Sequence, residues 1–218
     1  MSKMFKVGFC VSGQGRLFRA AANQAVELGI QPALVVAERN ASDELEAFCG
    51  HRGISFHRLS KGSRAEFDEE VFRVCSGAQL DLLALTFDKL IASSLVRHYQ
   101  NRIINVHPAL LPAFKGMRAL EQIAESGARF AGATIHEVDE QMDHGPIIAQ
   151  CILGMRRDEH ELSIGRRLFP LLRLMYLQVI AWYAEGRVTK DAQGRVWVRD
   201  AVYGELPISP ALERSFPD

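Results

Sequence analysis

Through the first half of the chain, short apolar or β-branched runs alternate with longer segments of helical period. Residues 5–11 read as a strand that stops at Ser-Gly-Gln-Gly, and 18–28 carries helical periodicity. A second apolar run covers 32–36. A helix opens at Ser42-Asp43-Glu44, with acidic residues in its first turn. Strand 54–59, a one-sidedly charged helix at 64–75, a near-continuous apolar strand at 80–86, a short helix at 93–99 and strand 103–106 complete the series. An apolar run such as 80–86 suits a parallel sheet covered on both faces. The succession predicts an α/β fold, a Rossmann-like doubly wound and mainly parallel sheet with right-handed crossovers. After Gly116 the pattern changes. A helix over 119–125 precedes runs at 132–138 and 146–152 with only a short connection between them, which predicts antiparallel strands appended to the sheet. A long helix from about 161 to 184 closes the core, Gly186 ends it, and strand-like pieces surround 191–194. The expectation is one domain over 1–218, with a looser C-terminal tail from about 187.

Composition narrows the function classes. With 218 residues, 48% apolar and 24% charged, the chain can bury a core without disulfide or metal. Its 26 basic and 26 acidic residues balance, which argues against nucleic acid or an anionic membrane as the main partner. Cys10, Cys49, Cys75 and Cys151 lie far apart and match no zinc spacing, so they read as reduced thiols in a cytoplasmic protein with no metal site. The most apolar stretch, 168–184, is interrupted by Pro170, Arg173 and Gln178 and reads as a buried helix, not a span.

Three segments carry candidate chemistry. Gly13, Gly15 and Arg16 lie in a strand-to-helix turn where backbone N–H groups favour an anion; the same turn serves as a tight β-to-α connection. Asn105 and His107 stand where strand 103–106 ends, at the edge where α/β sheets bind ligands, and alternation puts both on one side. A carboxamide can donate to an oxyanion, and an imidazole can shuttle a proton near neutral pH. Asp143 occupies a Met-Asp-His-Gly-Pro turn, where it suits the turn and could also orient an imidazole. Thr134 and His136 alternate on one strand face, and His136 reads as a satisfied core histidine.

Asn-Val-His-Pro-Ala-Leu-Leu-Pro-Ala-Phe-Lys-Gly at 105–116, then Gly-Ala-Thr-Ile-His at 132–136 and Asp-His-Gly-Pro-Ile-Ile-Ala-Gln at 143–150, resemble the folate-dependent formyltransferases over nearly the whole chain. The glycinamide ribonucleotide transformylases and the catalytic domain of the formyltetrahydrofolate deformylases are the nearest branches. The resemblance implies a formyltransferase fold, 10-formyltetrahydrofolate as formyl donor and co-substrate, and Asn105, His107 and Asp143 as the catalytic set. Asn105 and a protonated His107 would stabilise the oxyanion, and Asp143 would orient the imidazole and raise its pKa. It implies a pterin site read by backbone groups at Asp88, Lys89, Leu90 and Ile91 and at Val138, Asp139 and Glu140, with Arg64 near the folate tail. It makes glycinamide ribonucleotide the default acceptor, held by Gly13, Gly15 and Arg16.

The acceptor side departs from the family. Gly-Gln-Gly-Arg-Leu replaces Gly-Asn-Gly-Ser-Asn at 13–17, Leu172 stands where a glutamate contacts the amine, and 117–120 lacks the family's histidine. Another amine thus remains open as acceptor. Alternatives are a deformylase that uses water, or a folate-binding module without turnover. The expected partners are a small-molecule amine and, for the oligomer, either a monomer or a homodimer.

Overall fold

A computed structural model describes residues 4–87 and 89–217. The chain divides into two compact units, 1–104 and 105–218, with the division falling inside a strand, β5 (Ile103–His107).

In the first unit, β1 (Phe5–Val11) pairs in parallel with β2 (Ile30–Ala37) on one side and β4 (Leu82–Thr86) on the other. The strand β3 (Ser55–Arg58) lies parallel beyond β2. The apolar runs that read as strands bury almost completely: Val7, Phe9, Val35, Val36, Leu82, Leu83 and Ala84 are inaccessible or nearly so. Four helices connect these strands and lead to β5: α1 (Arg16–Asn23), α2 (Asp43–His51), α3 (Arg64–Gly77) and α4 (Ser93–His98). Phe18 of α1 packs its ring 5.0 Å from Phe9, which docks that helix on β1. Start signals act as expected at α3. There the Ser63 hydroxyl accepts from the Glu66 N–H while the Glu66 carboxylate accepts from the Ser63 N–H, a reciprocal cap.

In the second unit, β6 (Phe130–Glu137) pairs antiparallel with β7 (Ile147–Gly154), and β7 with the two-residue β10 (Ile208–Ser209). The helices are α5 (Ala119–Glu125) and the 24-residue α6 (Glu161–Ala184). Ala109, Ala119, Ile123, Ala131 and Ile164 form a core of small side chains beneath the loop that follows β5. Strands β8 (Val188–Lys190) and β9 (Val196–Val198) form a separate antiparallel hairpin.

One expectation is corrected. The helix read over 18–28 ends at Asn23. From there the chain continues in turns to Gly29, whose left-handed φ of 68° feeds β2. The strand-like pieces expected around 191–194 are β8 and β9, and 191–194 is the turn between them. Asp191 accepts there from the N–H groups of Gln193 and Arg195, a use of a carboxylate that closes a turn. No helix among the described residues is long and apolar enough to cross a membrane.

Candidate active site

β5 ends in Asn105 and His107 because its apolar residues, Ile103 and Ile104, fill the interior and the alternation then turns two polar groups the same way. Three hydrogen bonds place each ring and carboxamide of the cluster. The Nε2–H of His107 donates to the Phe114 carbonyl at 2.8 Å, which leaves Nδ1 facing Asp143 Oδ2 at 3.3 Å. The same oxygen accepts the Gly116 N–H at 2.8 Å. The Asn105 amide nitrogen lies 3.3 Å from His136 Nε2.

His136 is the neighbour of the candidate site that sequence reasoning missed. Its Nδ1 lies 2.7 Å from the carbonyl oxygen of Glu137, which can only accept, so the proton of the neutral ring sits on Nδ1. Nε2 then presents a lone pair, and Asn105 must turn its NH₂ toward it. One N–H of that amide is spent on His136, and the second is left to donate elsewhere. Burial pushes the His136 pKa below the ordinary imidazole value; the Glu137 carbonyl and the Asp143 carboxylate oppose that shift without cancelling it. His136 is therefore neutral at neutral pH. Asp143 Oδ1 stands 3.6 Å from its Nε2, beyond hydrogen-bond reach.

The turn that delivers Asp143 is built for close approach. Asp143 adopts a left-handed φ of 49°, and a Cβ added at Gly145 would lie 1.9 Å from the Glu137 carbonyl oxygen. Glu137 N–H donates to the Pro146 carbonyl at 2.9 Å, which ties the two ends of the turn. The loop after β5 is held from β6 and β7. The Thr134 hydroxyl donates to the Ala109 carbonyl at 2.7 Å and accepts from the Leu111 N–H at 3.1 Å. Gln150 Nε2 donates to both Thr134 Oγ1 and the Leu111 carbonyl, each at 2.9 Å. Chemically, the cluster offers an N–H donor, an imidazole and a carboxylate on buried and half-buried side chains.

The structure brings Asn105, His107 and Asp143 together. Among the other expected site residues, Val138 and Asp139 follow β6 directly; Asp139 caps its own loop by accepting the Gln141 N–H, and it pairs with His144 at 2.9 Å. Glu140 is exposed on that loop. Lys89 and Leu90 are exposed and Ile91 is half-buried, while Asp88 lies outside the described residues. Arg64 pairs with Asp68 one turn along α3, at 2.8 Å. Gly13 and Gly15 both take left-handed φ, 55° and 59°, and Arg16 opens α1; Leu17, where the family has a polar residue, is buried. Leu172 is likewise buried on α6.

A family model described as formyl transferase matches residues 5–180. The phosphoribosylglycinamide formyltransferase of Bacillus subtilis (strain 168) is 34% identical over 184 residues, 81% of this chain and 93% of the relative. A mitochondrial formyltetrahydrofolate deformylase of Arabidopsis thaliana is 30% identical over 151 residues, 69% of this chain; that match spans only 46% of the deformylase, so the chain corresponds to about half of it. The crystal structure of glycinamide ribonucleotide transformylase 1 from Symbiobacterium toebii superposes with a TM-score of 0.82 at 28% identity, over 92% of this chain and 96% of that one. With four-fifths of its length matched, the chain belongs to the formyl transferase family.

Proposed function

We propose that the chain transfers a formyl group from 10-formyltetrahydrofolate to a small-molecule amine, with glycinamide ribonucleotide the default acceptor. The observation that carries this reading is the Asn105–His136–Glu137 relay. It fixes an amide N–H so that it donates to an oxygen outside the relay, as an oxyanion donor must.

The donor supplies an activated formyl carbon and a nitrogen leaving group. Asn105 donates its second N–H to the formyl oxygen as negative charge develops there. His107, with its Nε2–H held by the Phe114 carbonyl, has only Nδ1 left for proton transfer. A proton on Nδ1 lies against Asp143 Oδ2, which holds it until the leaving nitrogen needs it. The proton shed by the attacking amine restores the Nδ1–H, so the balance closes within one turnover. The loop at 138–140 would offer backbone groups to the pterin.

Leu17 and Leu172 are buried and apolar where a ribonucleotide acceptor needs polar contacts, and the Gly15 N–H is already given to the Ser12 carbonyl at 3.1 Å, so the first-turn N–H groups of α1 would carry the phosphate. The test is release of tetrahydrofolate from 10-formyltetrahydrofolate by the purified chain, first without amine and then with glycinamide ribonucleotide. Release only with the ribonucleotide supports the proposal as stated. Release without any amine would make water the acceptor and the chain a deformylase.

A further inference from the structure

We propose that Lys190, on the hairpin strand β8, is a positioning residue for the site, acting through Glu137 and His136 on the direction in which Asn105 donates. The inference rests on the reading of Asn105 as an N–H donor.

Glu137 is the last residue of β6 and is almost fully buried, at 4% exposure. A carboxylate so placed needs partners for both oxygens. The Tyr183 hydroxyl, from the last turn of α6, donates to Oε1 at 3.0 Å, and Lys190 Nζ lies 2.5 Å from Oε2. The main chain of the same residue does a second job. Its carbonyl accepts the Nδ1–H of His136 at 2.7 Å, its N–H donates to Pro146, and Gly145 packs against it closely enough to exclude any Cβ. Side chain and main chain of Glu137 are thus anchored separately, and the charged partner of the side chain comes from the hairpin.

The consequence lies in the His136 tautomer. With the Glu137 carbonyl in place the proton stays on Nδ1, Nε2 accepts, and Asn105 points its NH₂ inward with one N–H to spare. The alternative tautomer has a competing attraction, because Asp143 Oδ1 stands 3.6 Å from Nε2 and draws a proton there. An Nε2–H would confront the Asn105 N–H, and the carboxamide would turn over and take its spare N–H away from the formyl oxygen. Without Lys190, Oε2 of the buried carboxylate loses its charged partner and the side chain turns toward water, which drags the carbonyl that decides between the two tautomers.

The experiment is ¹⁵N NMR of histidine-labelled full chain, paired with steady-state kinetics, for wild type, Lys190→Met and Lys190→Arg. The wild type is expected to show His136 as the Nδ1–H tautomer. Lys190→Met is expected to move it toward Nε2–H and to lower kcat by about tenfold to a hundredfold, with KM for the formyl donor changed by less than about twofold. Lys190→Arg is expected to restore both. A folded Lys190→Met that keeps Nδ1–H and the wild-type kcat overturns the proposal. Should that variant not fold, Lys190→Ala removes the ammonium while leaving room for water beside Oε2, and an unmoved His136 with wild-type kcat there overturns it equally. The tautomer is read without turnover. A tautomer shift in a chain that never consumes 10-formyltetrahydrofolate would support the positioning device while sinking the catalytic reading.

Discussion

Asn105 donates in a defined direction only because of the ring beside it. A carboxamide alone can present either its oxygen or its nitrogen. The lone pair on His136 Nε2 removes that freedom, and the Glu137 carbonyl in turn sets the lone pair. Replacing Asn105 by Ala is therefore expected to lower kcat by about 10²–10³ while leaving donor affinity close to wild type, measured by steady-state kinetics and by folate binding. Gly145→Ala tests the support for that relay: with a Cβ 1.9 Å from the Glu137 oxygen, the turn must open, and both the melting temperature and kcat should fall. Asn105, His107 and Asp143 were legible in the sequence because each sits in a short polar motif that interrupts or follows an apolar run. His136 was not. A single histidine within a buried strand has the same local pattern whether it satisfies a core or aims a neighbour. What distinguishes the two is a partner 31 residues away in the chain.

Between strands and helices, the segment that matters is the loop from Pro108 to Arg118, which carries two of the contacts to the cluster, Phe114 O and Gly116 N–H. It has no regular backbone pairing of its own, so Thr134 and Gln150 supply its bonds from β6 and β7. Thr134→Val keeps the shape and removes the hydroxyl, so the Leu111 N–H and the Ala109 carbonyl keep only the 3.2 Å bond between them and Gln150 Nε2 loses one of its two acceptors. The expected cost is about 1–3 kcal/mol in all, read by denaturant unfolding, with a loss of kcat as His107 loosens. The parallel strands of the first unit were legible because they are continuous apolar runs with glycine or polar stops. The end of α1 was not, since the apolar spacing continues past Asn23 although the backbone leaves the helix at Gln24. β10 also escaped. Two residues flanked by Pro207 and Pro210 carry no period, and their strand character comes wholly from pairing with β7.

For the whole molecule, balanced charge means that the pH dependence of stability is set by particular groups. The folded-state pKa of His136 is below its unfolded value, so its contribution to stability is fully present above about pH 6.5 and is lost as pH falls below that. Glu159 adds an acid limb. Burial alone would raise its pKa, but the Arg167 guanidinium, the Arg156 N–H and the Ser163 hydroxyl outweigh burial and take it down to about 2. Its stabilisation is present above about pH 4.5 and lost as pH drops toward 2. Thermal melts of wild type and Glu159→Gln should therefore differ at neutral pH and converge in acid; a gap that stays constant across that range would contradict the assignment. The central claim is that Asp143, through His107, moves the proton of formyl transfer. It is tested most directly by single-turnover release of tetrahydrofolate from 10-formyltetrahydrofolate by wild type and by Asp143→Asn, in the presence of an accepted amine and at matched donor occupancy. The account predicts equal binding of the donor and transfer slowed by at least about a hundredfold in the variant. Transfer at a near-wild-type rate by a folded Asp143→Asn would contradict it.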